Sequence, residues 1–303
     1  MTRVTGVGLF LLLCLAGARP VSSQQAAPGA ASAAYERARE AAERLDREQA
    51  NANAEAKVAV YAVAMEAADR AGNAERTLEW GERVLLLEPT HRFAQMYVSS
   101  RLPERLPADA AARTVTLTRA MEMANKAHGQ TEAYFKGAKP AEVSAEEWAE
   151  QKRIQEARVH DTLGVIHLIR EEYDDSVFMY EYVVELTPEN GLSQYHLGAA
   201  YSGQAAEAQE YIELLRQDEA KARAANAAAD LRLVVQLRAD ADADFAQKRD
   251  KAIETLARAA ALGGAAAERA RPELERLYRA KNNGSPAGLE ELINSKKAEL
   301  GVR

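Results

Sequence analysis

Apolar and small residues recur at spacings of three and four along most of this chain, as at Thr77, Gly81 and Val84, at Ala208, Ile212 and Leu215, and at Ala252, Leu256 and Ala259. That is the period of one face of an α-helix, and runs of alternating β-branched residues that would give strands are hard to find. The punctuation is sparse: Gly72, Pro89, Pro103 with Pro107, Gly129, Gly137 with Pro140, Pro188, Gly203, Gly263 with Gly264, and Gly284 with Pro286 divide the sequence into helix-length segments. Ser144 followed by Glu147, just ahead of Trp148, is a capping-box pattern and predicts a long helix running towards Arg170. The Ala, Glu, Arg, Leu and Lys that fill the segments, against 9 Pro and 17 Gly in 303 residues, extend the helical expectation to nearly the whole chain.

The amino terminus breaks the pattern. Residues 7–18 are an unbroken apolar run behind Arg3, too short for a stable bilayer anchor, and read as an export signal cleaved after Ser23, or after Ala18, which Pro20 just beyond disfavours. Cys14, the one cysteine, lies inside that run behind Leu13, where a lipoprotein signal would carry a small residue. The mature chain would then lack both thiol and disulfide, have no stable membrane anchor, and be periplasmic or secreted. The map expected is a signal at 1–23, a flexible leader at 24–33, degenerate helical repeats at 34–135, the best-matching pairs at 144–216, a charged Ala-rich helical insertion at 217–250, and a repeat with a capping helix at 251–303.

Leu163-Gly164 recurs as Leu197-Gly198, 34 residues on, and His167, Ser176, Tyr180, Val183 and Pro188 follow Gly164 at regular intervals. The second unit continues with Tyr201, Ala208, Ile212 and Leu215; segments ending at Pro89 and near Gly263 look like further second helices. In period and residue classes this resembles the tetratricopeptide repeat. The resemblance implies an all-α array of stacked helical hairpins, an α-solenoid, in which Leu163, Gly164, His167, Ser176, Tyr180, Pro188, Leu197, Gly198 and Tyr201 pack the repeats together. It also implies a concave recognition face, carried here by Arg158, Asp161, Val165 and Ile169 and by Tyr195, His196 and Ala199. Thr162 and His196 stand where the family's carboxylate clamp has asparagine, so an apolar, aromatic groove for a peptide is expected instead.

Chemistry adds little. There is no nucleophile elbow, phosphate loop or dinucleotide fingerprint, so no catalytic residue and no cofactor is expected. Asp240, Asp242 and Asp244 have calcium-loop spacing, but Phe245 and Lys251 fill the positions that need glycine and glutamate. His160 and His167 share a helical face without a third ligand and are expected to pack between helices, so no metal is expected either. Asn283-Gly284-Ser285 fits a glycosylation acceptor, but a turn explains it just as well. A net charge of -7, from 46 acidic and 39 basic residues, with signs interspersed, disfavours nucleic acid. The function expected is a non-enzymatic scaffold or adaptor for a protein or peptide; the alternatives are a self-associating structural component and a small-ligand-binding accessory subunit of an envelope complex.

Overall fold

The computed structural model describes residues 28–48 and 53–302, and among these the chain is entirely helical, with no strand. The helices are α1 (Pro28–Glu48), α2 (Ala54–Arg70), α3 (Ala74–Leu87), α4 (Arg92–Arg101), α5 (Ala110–Lys136), α6 (Ala145–Ile169), α7 (Tyr173–Leu186), α8 (Gly191–Ala224), α9 (Ala228–Leu262), α10 (Gly264–Lys281) and α11 (Leu289–Leu300), with a 3-10 turn at Leu102–Arg105. The expected signal, residues 1–23, lies outside the described residues. The described residues divide into two compact units, with the boundary between residues 159 and 160, inside α6.

Local signals set the helix starts. Asn53, Asn73, His91, Asp109 and Asn190 each accept a first-turn backbone N–H through the side chain, at 2.8 to 3.3 Å. At α6 both bonds of the capping box are formed: Glu147 N–H donates to Ser144 Oγ at 3.1 Å and Ser144 N–H to Glu147 Oε2 at 3.0 Å.

In the first unit, α1 to α4 pack in sequence around Tyr35, Tyr61, Met65, Trp80 and Val84, and α5 packs on α4. Tyr61 and Trp80 meet at 5.6 Å between ring centroids, with the Arg83 guanidinium over Trp80 at 4.5 Å. In the second unit α7, α8, α9, α10 and α11 share one core, whose most buried members are Tyr180, Leu256, Leu274 and Ile293.

The two units contain the same turn-helix-turn, shifted by 99 positions. Ala71, Gly72 and Asn73 N–H donate to Ala67, Asp69 and Ala68 carbonyls; Arg170, Glu171 and Glu172 N–H donate to Ile166, Leu168 and His167. Gly72 and Glu171 both sit in the left-handed region, at φ 70° and 62°. The following turns match too, with Gln95 Nε2 donating to the Pro89 carbonyl at 2.8 Å and Gln194 Nε2 to that of Pro188 at 3.3 Å. Inside the matched hairpins large and small residues are exchanged. Gly164 faces Tyr180, whereas Met65, at the position of Gly164, faces Gly81, at the position of Tyr180. Each hairpin thus keeps one bulky and one absent side chain across its seam, which conserves volume while swapping its source.

Several expectations need correction. Residues 28–33, expected in a flexible leader, open α1, because a proline is tolerated in a helix's first turn and the alanines behind it are strong helix formers. Gly129 and Gly203 do not break helices; they lie inside α5 and α8. At Gly203 the missing side chain makes room for the Tyr173 ring, which a Cβ would meet at 2.2 Å. With nothing to stop it, α8 runs on through Ala208, Ile212 and Leu215, which were expected in a separate second helix. The helix that packs on the first half of α8 is instead the last part of α9: a Cβ on Gly198 would meet Leu256 at 2.6 Å. Residues 217–250 are correspondingly not one helix but parts of α8 and α9, reversed at residues 225–227 with Asn226 at φ 53°. Ile212, Leu215 and Ala241, with Val234 and Phe245, form a separate small core drawn from these two helices alone. The result is an antiparallel hairpin inserted between the two halves of a helix pair.

Candidate binding surface

The second unit contains six of the seven residues expected on the recognition face, and they are used unequally. Val165 and Tyr195 are partly buried against the main core, Ala199 is half-buried, and Ile169 is 36% exposed. Asp161 is committed to structure: its Oδ1 accepts from Ser193 Oγ at 3.0 Å, and its carbonyl accepts from Tyr180 Oη at 3.2 Å. Tyr180 Oη also lies 2.8 Å from His196 Nδ1. A proton on Nδ1 satisfies all three groups, because Tyr180 then donates to the carbonyl and accepts from the imidazole. Burial, reinforced by the nearby Arg269 cation, lowers the His196 pKa to about 4, so its ring is neutral and serves the seam between helices. Tyr195 lies beside it, with ring centroids 5.4 Å apart.

Arg158, the seventh residue, belongs to the first unit and is part of a buried charge cluster. Asp69, whose side chain is 4% exposed, accepts from Arg158 at 2.9 Å on Oδ2 and from Arg101 at 2.6 and 3.0 Å on Oδ1. Arg158 also lies over the Tyr97 ring at 4.5 Å, and Arg101 is paired with Glu104 at 2.5 Å. The guanidinium that was expected to meet a partner therefore neutralises a buried carboxylate on α2.

The residues expected to pack the repeats differ in burial. Leu163, Gly164, Ser176, Tyr180, Leu197, Gly198 and Tyr201 are buried. Pro188 is exposed and offers only its carbonyl, while His167 turns to the start of α7. His167 Nδ1 lies 2.6 Å from Glu172 Oε2 and 3.9 Å from Asp175 Oδ2. Sequence reasoning weighed His167 only against His160, on the same helix, and so missed carboxylates five and eight residues later, across the turn. His160 itself stacks on Tyr182 at 4.5 Å.

Exposed apolar side chains that periodicity did not single out include Phe178 and Tyr182 on α7, Tyr211 and Leu214 on α8, and Leu233 on α9. Phe178 is 70% exposed and one turn from Tyr182, so α7 shows an aromatic stripe on the side away from its core residues. Compared with protein-family models and with curated proteins, the sequence matches none.

Proposed function

We propose that this chain is an exported, tetratricopeptide-like scaffold that holds a protein or peptide on its helical surface without catalysing a reaction. The observation carrying this reading is the exposed apolar set of the second unit, Ile169, Phe178, Tyr182 and Tyr211, on a frame whose hairpin geometry occurs twice. Repeating the frame fixes the core and leaves the outward side chains free to vary, which is how stacked hairpins acquire a recognition surface. The apolar segment at residues 7–18 supports delivery to the periplasm or beyond. Within the expected groove, Ile169, Tyr195 and Ala199 supply contact, whereas Arg158, Asp161 and His196 hold the scaffold.

The experiment is cross-linked capture from envelope extract, with the chain from Gln24 onward as bait and Ile169→Ala with Tyr195→Ala as control. A discrete protein lost with the double variant is the expected outcome. Equal capture by a double variant of unchanged helicity rules out this face, and recovery of the bait alone favours self-association.

A further inference from the structure

We infer that His167, Glu172 and Asp175 form a site for one divalent transition-metal ion at the turn between α6 and α7. Their candidate ligand atoms, one imidazole nitrogen and two carboxylate oxygens, lie within 4.8 Å of one another. An ion about 2.1 Å from each ligand needs those atoms roughly 3 to 3.5 Å apart, a spacing that the 2.6 and 3.9 Å separations from His167 Nδ1 bracket. Glu171 and Asp174 add two further carboxylates in the same stretch, against one guanidinium, Arg170, whose Nη1 is 3.7 Å from Glu172 Oε1. The surplus negative charge favours a cation. The mixed nitrogen and oxygen set suits zinc and its first-row neighbours rather than calcium or magnesium, which take oxygen alone. Glu172 and Asp175 are 41% and 68% exposed, so positions on the ion would stay open to water or another ligand.

The matched turn of the first unit shows that the fold does not need these three residues. The same backbone is built there with Ala68, Asn73 and Arg76 in their places. Asn73 caps α3, its Oδ1 accepting from Arg76 N–H at 3.1 Å; Glu172 makes no such bond, because its carboxylate is turned to His167. Gly72 fills the left-handed position without strain, whereas the second unit puts Glu171 there. The second turn thus forgoes a cap and a relaxed backbone while gathering three ligands, a local sacrifice typical of functional sites.

The test is titration of the chelator-stripped full chain with Zn²⁺ by calorimetry, repeated with Co²⁺ to read the ligand field from its visible spectrum. One equivalent is expected to bind, with nitrogen and oxygen ligation, and in His167→Ala and Asp175→Asn more weakly by at least the roughly 10- to 100-fold that loss of an outer-shell partner costs. Glu172→Asn installs the cap of the first unit, so it should keep or raise the melting temperature while losing the same affinity. Absence of a one-equivalent phase in the parent, or affinity unchanged in His167→Ala and Glu172→Asn, overturns the site.

Discussion

The close approach at Gly164 yields a prediction whose sign separates it from an ordinary helix glycine. Gly164 and Gly129 both lie inside helices, α6 and α5, and replacing either with alanine removes the backbone entropy penalty of glycine, worth about 1 kcal/mol. At Gly129 nothing stands within 4 Å of the new Cβ, so that gain should be realised, and Gly129→Ala should raise the transition midpoint of the first unit by a few degrees. At Gly164 the Cβ would lie 2.7 Å from Tyr180 Cε2 and 2.9 Å from Cδ2. The ring cannot give way cheaply, because it is fully buried and its hydroxyl is tied to Asp161 and His196. Overpacking of this kind costs about 1 to 3 kcal/mol, which cancels or outweighs the alanine gain. Gly164→Ala should therefore lie about 1 to 3 kcal/mol below Gly129→Ala in its effect on stability. The assay is urea denaturation followed by far-ultraviolet circular dichroism, with the transition of each unit fitted separately. A Gly164→Ala protein stabilised as much as Gly129→Ala would falsify the tight seam between α6 and α7.

Two other perturbations bear on the charged and titrating groups. Asp69→Ala leaves Arg101 and Arg158 facing each other without their carboxylate and should destabilise the first unit by about 2 to 4 kcal/mol; a loss below about 1 kcal/mol would show the cluster to be dispensable. His196 is held neutral in the folded state, with its pKa lowered from 6.5 to about 4, so the unfolded chain takes up the proton first as pH falls. Its contribution is intact above pH 6.5 and is lost at about 1.4 kcal/mol per pH unit down to pH 4, reaching about 3 kcal/mol. His196→Gln, compared with the parent across that window, should cancel this slope; parallel stability profiles would contradict it.

The helical class was legible because it rests on local periodicity, and so was the start of α6, because Ser144 and Glu147 satisfy each other without help from the rest of the chain. Gly164 and Gly198 were legible as points of close approach, since glycine amid apolar neighbours has few other uses. Their partners were not equally so. Tyr180 follows Gly164 by one hairpin, whereas Leu256 reaches Gly198 only because two long helices intervene and return, and no local spacing encodes that. The candidate groove illustrates the same limit. Helical spacing points to Arg158 and His196 as surface candidates, yet Asp69 and Tyr180, residues distant in sequence, decide what those side chains do.

The inserted hairpin also orders the assembly of the second unit. Gly164 and Tyr180 are 16 residues apart and can meet by closing one short turn, but Gly198 and Leu256 are 58 apart, a difference worth about 1 kcal/mol in closure entropy for a structureless loop. If α8 and α9 first zip together from the reversal at residues 225–227, through Ile212, Leu215 and Ala241, the two distant positions arrive already aligned and most of that cost disappears. The insertion then acts as a guide for folding: a contact spanning 58 residues is reached by a succession of short-range ones.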